Sequence, residues 1–541
     1  MLLLRPAHGL LLLIAGVLML PVLAVLASWL PWGASMASSL AILSEMSDTV
    51  LPGYLATTVW LCLLVATGVV TFGLSTAAAV SLFEFPGRRV FEWALLLPLA
   101  MPAYVVAYAY SDFLQYSGPL QTLLRTATGA QGAMLPEVRS VWGAAWVFTF
   151  ALYPYVYLLA RAALSERATH LMEAARLMGA PLGRRIREVA FPLARPAVAA
   201  GVALALMETL ADYGVSSYFG IQTFTAGIYK AWLSMDNRIA AAQLSTLLLV
   251  LVTALLALEQ HAQKRIRFST VKGIRAGTQD AVAVPLTGMR RLAVWSLCLT
   301  PILMGFVFPV LFMLRPMLAG WDDLPWSRFG QWALNSLRLA SLTAVLAVGI
   351  AMGIAFTLRH SSHWVPRVVA RLVSLGYAIP GAVVVVGLLL PLGWVQDKFP
   401  DLQVGYFVTA TALGIVWAYL VRFCAVALQA LQSGYVRVAI SLDESARMLG
   451  AGPWRVLTGV HWPLLKKSAA AAALLVFVDV MKELPATLVL RPFNSDTLAV
   501  VAYQLARDER LGEAALPCLA LVLVGLLPVI LLSRTLRSNP R

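Results

Sequence analysis

The sequence is short of charge: Asp, Glu, Lys and Arg supply 12% of its 541 residues, where a soluble domain carries about a quarter. That excludes a chain folded wholly in water, because it lacks the polar surface to face it. Cysteine is scarce as well. Cys62, Cys298, Cys424 and Cys518 lie far apart inside apolar runs, so no disulfide framework or cysteine metal site is spelled out, and they read as small buried hydrophobes. No Gly-x-x-x-x-Gly-Lys-Ser/Thr phosphate cradle occurs, so this chain does not hydrolyse ATP by that route. No activated nucleophile or His-Cys-carboxylate cluster stands out either, which leaves no catalytic residue to name, and whether a metal contacts this chain is left open by the sequence.

Hydrophobic residues fill this gap, at 60% of the chain and a mean hydropathy of +0.80. Apolar runs of about 20 residues, enough to cross a bilayer, recur from end to end. Twelve candidate spans fall near 10–30, 57–82, 91–112, 141–163, 194–212, 240–258, 293–314, 335–357, 368–391, 405–430, 468–486 and 513–533. The period-two alternation of a membrane β-barrel is missing, so the expectation is an all-α polytopic membrane protein whose spans satisfy their own backbones. The first run has only Arg5 before it and a poor cleavage signal at Ala34-Ser35-Met36-Ala37, and is expected to be a retained span rather than a signal peptide.

The formal net charge of +15 could point to nucleic acid, but the basic residues fall in alternate loops, as membrane topology requires. Lys264, Arg265, Arg267, Lys272, Arg275, Arg290 and Arg291 face only Glu259 and Asp280 between the sixth and seventh runs. That interval is therefore expected in the cytoplasm. Counting spans from it places both termini inside, together with the loops at 161–195 and 432–467. The lipid bilayer is then the surrounding partner, and nucleic acid is not one.

The most informative pattern is an internal repeat. Glu173-Ala174-Ala175-Arg176-Leu177-Met178-Gly179 recurs as Glu444-Ser445-Ala446-Arg447-Met448-Leu449-Gly450, and the register runs without a gap through Val189-Ala190-Phe191-Pro192 and Val460-His461-Trp462-Pro463. Upstream, Leu99-Ala100-Met101-Pro102 answers Tyr377-Ala378-Ile379-Pro380. An even number of spans separates the copies, so both loops emerge on one face and the duplication is parallel, with a pseudo-two-fold axis along the membrane normal. A pathway along that axis is the expectation. The division is a first half at 1–258, a linker at 259–292 and a second half at 293–541.

Each repeated loop reads as a short helix, a turn and a return into the membrane. Glu173 and Glu444 are expected to begin the helices, where a carboxylate suits the positive dipole end. Gly179 and Gly450 are expected to stop them in left-handed geometry. Spacing alone leaves two readings open: a pair of docking knobs, or interfacial helices that merely connect spans.

The Glu-Ala-Ala, three residues, Gly, nine residues, Ile/Val-x-Leu/Phe-Pro pattern resembles the EAA loop of binding-protein-dependent ABC importer permeases. Both copies match, with Ser445 in place of the first alanine and Trp462 in place of Leu or Phe. The resemblance implies about 12 transmembrane helices in two parallel-related six-helix halves, the type I importer permease fold in a bacterial inner membrane. It implies that loops 170–195 and 441–466 dock on a separate ABC ATPase, two copies for two loops, through Glu173, Ala174, Ala175, Gly179, Glu444, Ser445, Ala446 and Gly450. It also implies an external solute-binding protein, and no cofactor on this chain, ATP and Mg belonging to the ATPase.

Two segments beyond the loops bear on cargo. Glu208-Thr209-Leu210-Ala211-Asp212-Tyr213-Gly214 and Lys482-Glu483-Leu484-Pro485-Ala486-Thr487-Leu488, with Leu490-Arg491-Pro492-Phe493-Asn494-Ser495-Asp496, are similar to ferric-iron importer permeases; thiamine and phosphonate importers share the architecture. The gapless register sets Asp212 opposite Glu483 and Glu208 opposite Asp479. Membrane charges line water or lock bundles, so Glu208, Asp212, Asp479, Lys482 and Glu483 are candidates for pathway or gate, with Lys482 expected to pair with a carboxylate in the locking case. His461, beside Trp462, reads as a surface or contact residue. A gradient-driven secondary transporter is the rival of another class, but it leaves the paired loops without a task.

Overall fold

A computed structural model describes the backbone over residues 4–29, 36–165, 169–268 and 284–537. The chain is helical throughout these segments, apart from a two-residue parallel pairing of Phe83–Glu84 with Val284–Pro285. Among the described residues, ten helices are long and apolar enough to cross a membrane, or eleven when one bent pair is counted as a span. This agrees with the expected all-helical polytopic fold of about twelve helices, and the two runs that the count treats differently do so for local reasons.

The run at 91–112 is not one rod. Helical turns from Arg88 to Ala100 and from Ala103 to Thr128 meet at 88°, because the Pro102 ring clashes with a helical residue before it and holds Met101 extended. Pro380 does the same in the second copy: Ile379 is extended, and Gly381–Lys398 starts a new helix after Trp364–Leu375. The run at 468–486 does form a 21-residue helix, Trp462–Lys482. It falls outside the span count because Lys466, Lys467, Asp479 and Lys482 make it too polar.

The described residues form two compact units that do not follow chain order. One contains residues 1–47, 227–249 and 325–501; the other contains 48–226, 250–324 and 502–541. The N-terminal helix Leu4–Ala27 thus belongs with the second half of the sequence, where it packs on Trp364–Leu375 and Gly381–Lys398. At that crossing Gly387 lies against the backbone of Pro21, too close for any side chain. Helices Phe308–Ala319 and Leu511–Arg537 pack on each other in the other unit. Of the interval 259–292, the helix Arg238–Phe268 enters its start and Gly288–Ile302 its end; residues 269–283 lie outside the described ones.

Each unit is organised around the same three helices. In one, Val141–Ala163 packs on Leu51–Leu82 and on Phe191–Ala211. Gly73 and Gly201 both abut Val156, so the backbones approach without intervening side chains. Ser140 starts the central helix by accepting the Gly143 N–H at 3.2 Å. In the other unit, Leu413–Tyr435 packs on Trp326–His360 and Trp462–Lys482, with Gly434 against Ser468. These are the helices that hold the repeated loops.

Candidate functional site

The two repeated loops fold alike. The first contains the helix Thr169–Leu177 and the second Ile440–Met448. Both close on the same cap. Gly179 N–H bonds to Arg176 O at 2.9 Å and Ala180 N–H to Ala175 O at 3.0 Å; Gly450 N–H bonds to Arg447 O at 2.9 Å and Ala451 N–H to Ala446 O at 3.0 Å. This is the double bond of a Schellman cap, which needs a left-handed residue at its corner. Gly179 has φ +82° and Gly450 φ +78°. A Cβ at either would meet nothing within 4 Å, so glycine serves conformation there and not space. Gly179→Ala or Gly450→Ala is expected to cost about 1 kcal/mol of loop-helix stability, seen as faster amide exchange across the loop with membrane insertion unchanged.

The carboxylates sit elsewhere than the repeat implies. Glu173 and Glu444 are the fifth residues of their helices rather than the first, so neither caps an N-terminus. Glu173 is half-buried and Glu444 exposed. Ala174 and Ser445 are exposed, Ala175 is buried and Ala446 half-buried. The side chains before the glycines are the more conspicuous feature: Leu177 is 89% and Met178 80% exposed, Met448 91% and Leu449 88%. Each loop thus presents an apolar pair at its tip. Beyond the tip both copies pass through a wide π turn, Ile186–Ala190 and Leu457–His461, into helices Phe191–Ala211 and Trp462–Lys482 with proline at the second position.

The second loop is tethered by a cluster of charged and polar contacts. Arg359, at the end of Trp326–His360, donates from Nε to Asp443 Oδ2 at 2.6 Å and from its terminal nitrogens to the carbonyls of Tyr435, Val438 and Ala439. His461, expected as a surface or contact residue, is completely buried and makes contacts. Its Nε2 stands 2.6 Å from Asp443 Oδ1 and its Nδ1 3.1 Å from the Tyr435 hydroxyl. Burial pulls the Asp443 carboxyl upward, but the hydrogen bonds from His461 and Arg359 and the Arg359 charge outweigh it, and the group stays below the ordinary carboxylate value.

The carboxylates beyond the loops occupy equivalent places in their own units, as the gapless register predicts. Asp212 Oδ1 accepts the N–H groups of Val215 at 2.9 Å and Ser216 at 3.4 Å. Glu483 Oε1 accepts from Ala486 N–H at 2.9 Å and Oε2 from Thr487 N–H at 3.0 Å. Each carboxylate caps the short helix that follows it, Gly214–Tyr218 or Pro485–Leu490. Glu483 also takes Arg422 Nη1 at 3.0 Å and the Thr487 hydroxyl at 2.6 Å, with its side chain 2% exposed. Arg422 is thus the buried cation that pairs with Glu483. Glu208 and Asp479 lie one turn before Asp212 and Glu483; they and Lys482 are half-buried.

A duplicated all-helical bundle with two matched loops defines a multi-pass transport component. The family described as binding-protein-dependent transport system inner membrane component matches residues 69–268 and 346–538. The chain belongs to that family, twice over, and is an ABC importer permease of the inner membrane rather than a catalytic subunit. It is 23% identical over 485 residues to the Fe(3+)-transport system permease protein FbpB 2 of Haemophilus influenzae, covering 89% of each chain. It is 25% identical to a probable ABC transporter permease, y4fN, of Sinorhizobium fredii, across 88% of this chain and 86% of that one. A probable molybdenum ABC transporter permease of Haloferax volcanii is 29% identical over 42% of this chain and 80% of its own.

Proposed function

We propose that this chain forms the translocation pathway of an ATP-driven importer for ferric iron, coupled to two copies of a separate ATPase by the loops 170–195 and 441–466. The observation that carries the coupling is the pair of identically capped helices, each offering two exposed apolar side chains at its tip. A partner cleft that covers those tips gains apolar burial, which nothing within either loop supplies. The names of the FbpB relatives from Haemophilus influenzae and Actinobacillus pleuropneumoniae support iron as the cargo.

In this reading the halves 1–258 and 293–541 are two permease units fused through 259–292, with both termini on the ATPase side, and a solute-binding protein delivers cargo at the opposite face. ATP and Mg are held by the ATPase and no cofactor by this chain. ATP binding closes the ATPase pair and moves the loop helices with it. Such closure shifts the permease only through contacts that differ between its states, and the loops bearing Glu173, Ala174, Ala175, Glu444, Ser445 and Ala446 are where that difference enters. Glu208, Asp212, Asp479, Lys482 and Glu483 are proposed at the pathway or its gate; the caps made by Asp212 and Glu483 favour a role in holding the helix breaks.

The test is uptake by proteoliposomes containing the chain, its ATPase and its binding protein. ATP-dependent accumulation of ferric iron is expected, without uptake of thiamine, phosphonate or molybdate. ATP-driven uptake of one of those instead would reassign the cargo. Uptake driven by a proton or sodium gradient without the ATPase would overturn the coupling as well.

A further inference from the structure

We propose that His360, Asp443 and His461 form a binding site for a first-row divalent cation of the Zn2+ or Fe2+ class, which pins the second loop helix to the ends of two long helices. The three residues come from three segments: His360 ends Trp326–His360, Asp443 lies in the first turn of Ile440–Met448, and His461 directly precedes Trp462–Lys482. One ligand atom from each lies within 4.8 Å of the others. All three side chains are buried, at 7%, 6% and 0% exposure.

Hydrogen bonding accounts for only part of this cluster. Asp443 and His461 are satisfied by each other, by Arg359 and by Tyr435. The His360 ring is not. Its Nδ1 is held by the Phe356 carbonyl at 2.9 Å, while its Nε2 is buried without a hydrogen-bond partner, 3.9 Å from Asp443 Oδ2. A buried imidazole nitrogen left bare costs about 1–3 kcal/mol, and here it faces a carboxylate and a second imidazole. Two imidazoles and one carboxylate suit Zn2+ or Fe2+, whereas Ca2+ and Mg2+ prefer oxygen alone. The Tyr435 hydroxyl at His461 Nδ1 would orient the ring from behind, and the Phe356 carbonyl would do so for His360.

The repeat adds an independent argument. In the first half the positions corresponding to His360, Asp443 and His461 are Leu82, Met172 and Ala190, the first by the register of Pro102 on Pro380 and the others by the gapless loop register. The first copy thus carries apolar residues at all three positions, so the repeated sequence pattern itself does not demand polar groups there. All three sites differ together, and all three become metal-capable.

Around a tetrahedral ion the ligand atoms stand about 3.4 Å apart, so the cluster must contract by up to about 1.4 Å, within reach of a turn of the His360 ring. The ion would replace the hydrogen bond between His461 Nε2 and Asp443 Oδ1, with the ring keeping its proton on Nδ1 toward the Tyr435 oxygen, and would leave Oδ2 to Arg359. Three protein ligands leave one position for water.

The wider consequence, that bound metal restrains the loop helix against the ATPase, rests on the coupling reading; the binding itself does not. The test is made on the full chain purified in detergent without the ATPase, stripped with chelator and offered Zn2+ or Co2+. Wild-type protein is expected to keep about one equivalent of Zn2+ through desalting and to develop the strong visible absorption of tetrahedral Co2+. His360→Asn, which leaves the Arg359–Asp443–His461 contacts in place, is expected to bind at least ~30-fold more weakly, since losing an outer-shell partner alone costs about 10–100-fold and a ligand costs no less. Wild-type protein without the Co2+ absorption would overturn the site whatever the variant does, and so would equal retention by wild type and variant.

Discussion

Replacing Leu177, Met178, Met448 and Leu449 together by Glu should abolish co-purification of the ATPase and reduce ATP-driven uptake to background, with the chain inserted in normal amount. The four side chains are 80–91% exposed, so the folded chain loses almost no burial when they change. A partner that covers them does lose it. Each fully covered Leu or Met contributes about 1.5–3 kcal/mol, and four of them correspond to at least ~6 kcal/mol, or about four orders of magnitude in affinity. Four buried carboxylates would add a desolvation cost to that loss. Changing one tip alone should leave partial binding, because the second loop still docks. Normal ATPase capture by the fourfold variant would refute the tips as the contact, while a gradient-driven transporter would keep its uptake throughout.

What the sequence disclosed of this arrangement, and what it hid, divides by physical cause. The caps at Gly179 and Gly450 were legible because a Schellman corner is a local requirement: backbone sterics within six residues decide it, and the glycine marks it. The equivalence of Asp212 and Glu483 was legible for the same reason, since each carboxylate bonds to N–H groups three and four residues ahead. The start of the loop helices was not, because a short helix takes its N-terminus from whatever the flanking chain packs against. Placing Glu173 and Glu444 at the first turn assumed a dipole interaction that the fold does not use.

Long-range pairing was hidden more completely. Arg422 and Glu483 are 61 residues apart and Arg359 and Asp443 84 apart, and an arginine inside an apolar run gives no sign of which carboxylate it will reach. Hydropathy likewise finds Leu4–Ala27 without revealing that it packs on helices some 350 residues later. A lone histidine reads as a surface or contact residue, and the sequence does not tell which; His461 is a buried contact residue because its partners Tyr435 and Asp443 lie 26 and 18 residues away. One signal was present: comparing the copies position by position shows polar residues at 360, 443 and 461 where the first copy has Leu, Met and Ala. The span count differs at Met101, where hydropathy registers apolarity but not the proline that breaks the rod, and at Trp462–Lys482, whose charged residues make a long helix too polar to count.

The second large effect is expected at Glu483. Glu483→Ala removes the buried partner of Arg422 and bares the N–H groups of Ala486 and Thr487 at once. Leaving one member of a buried pair uncompensated costs about 3–5 kcal/mol, so the variant should unfold at markedly lower temperature in detergent and accumulate poorly in the membrane. Glu483→Gln combined with Arg422→Met should recover most of that loss, since the amide oxygen still accepts an N–H and no buried charge remains. Asp212→Asn should differ in kind. The amide oxygen can serve the same cap, which costs a few tenths of a kcal/mol, so the chain should fold and assemble normally. Thermal unfolding of all four proteins, measured beside uptake, then separates scaffold from pathway. Uptake that follows stability through the Glu483 series and is normal in Asp212→Asn assigns both carboxylates to holding the helix breaks. Uptake lost in a stable Asp212→Asn protein would instead show that the cargo, or the gate it passes, needs the negative charge itself.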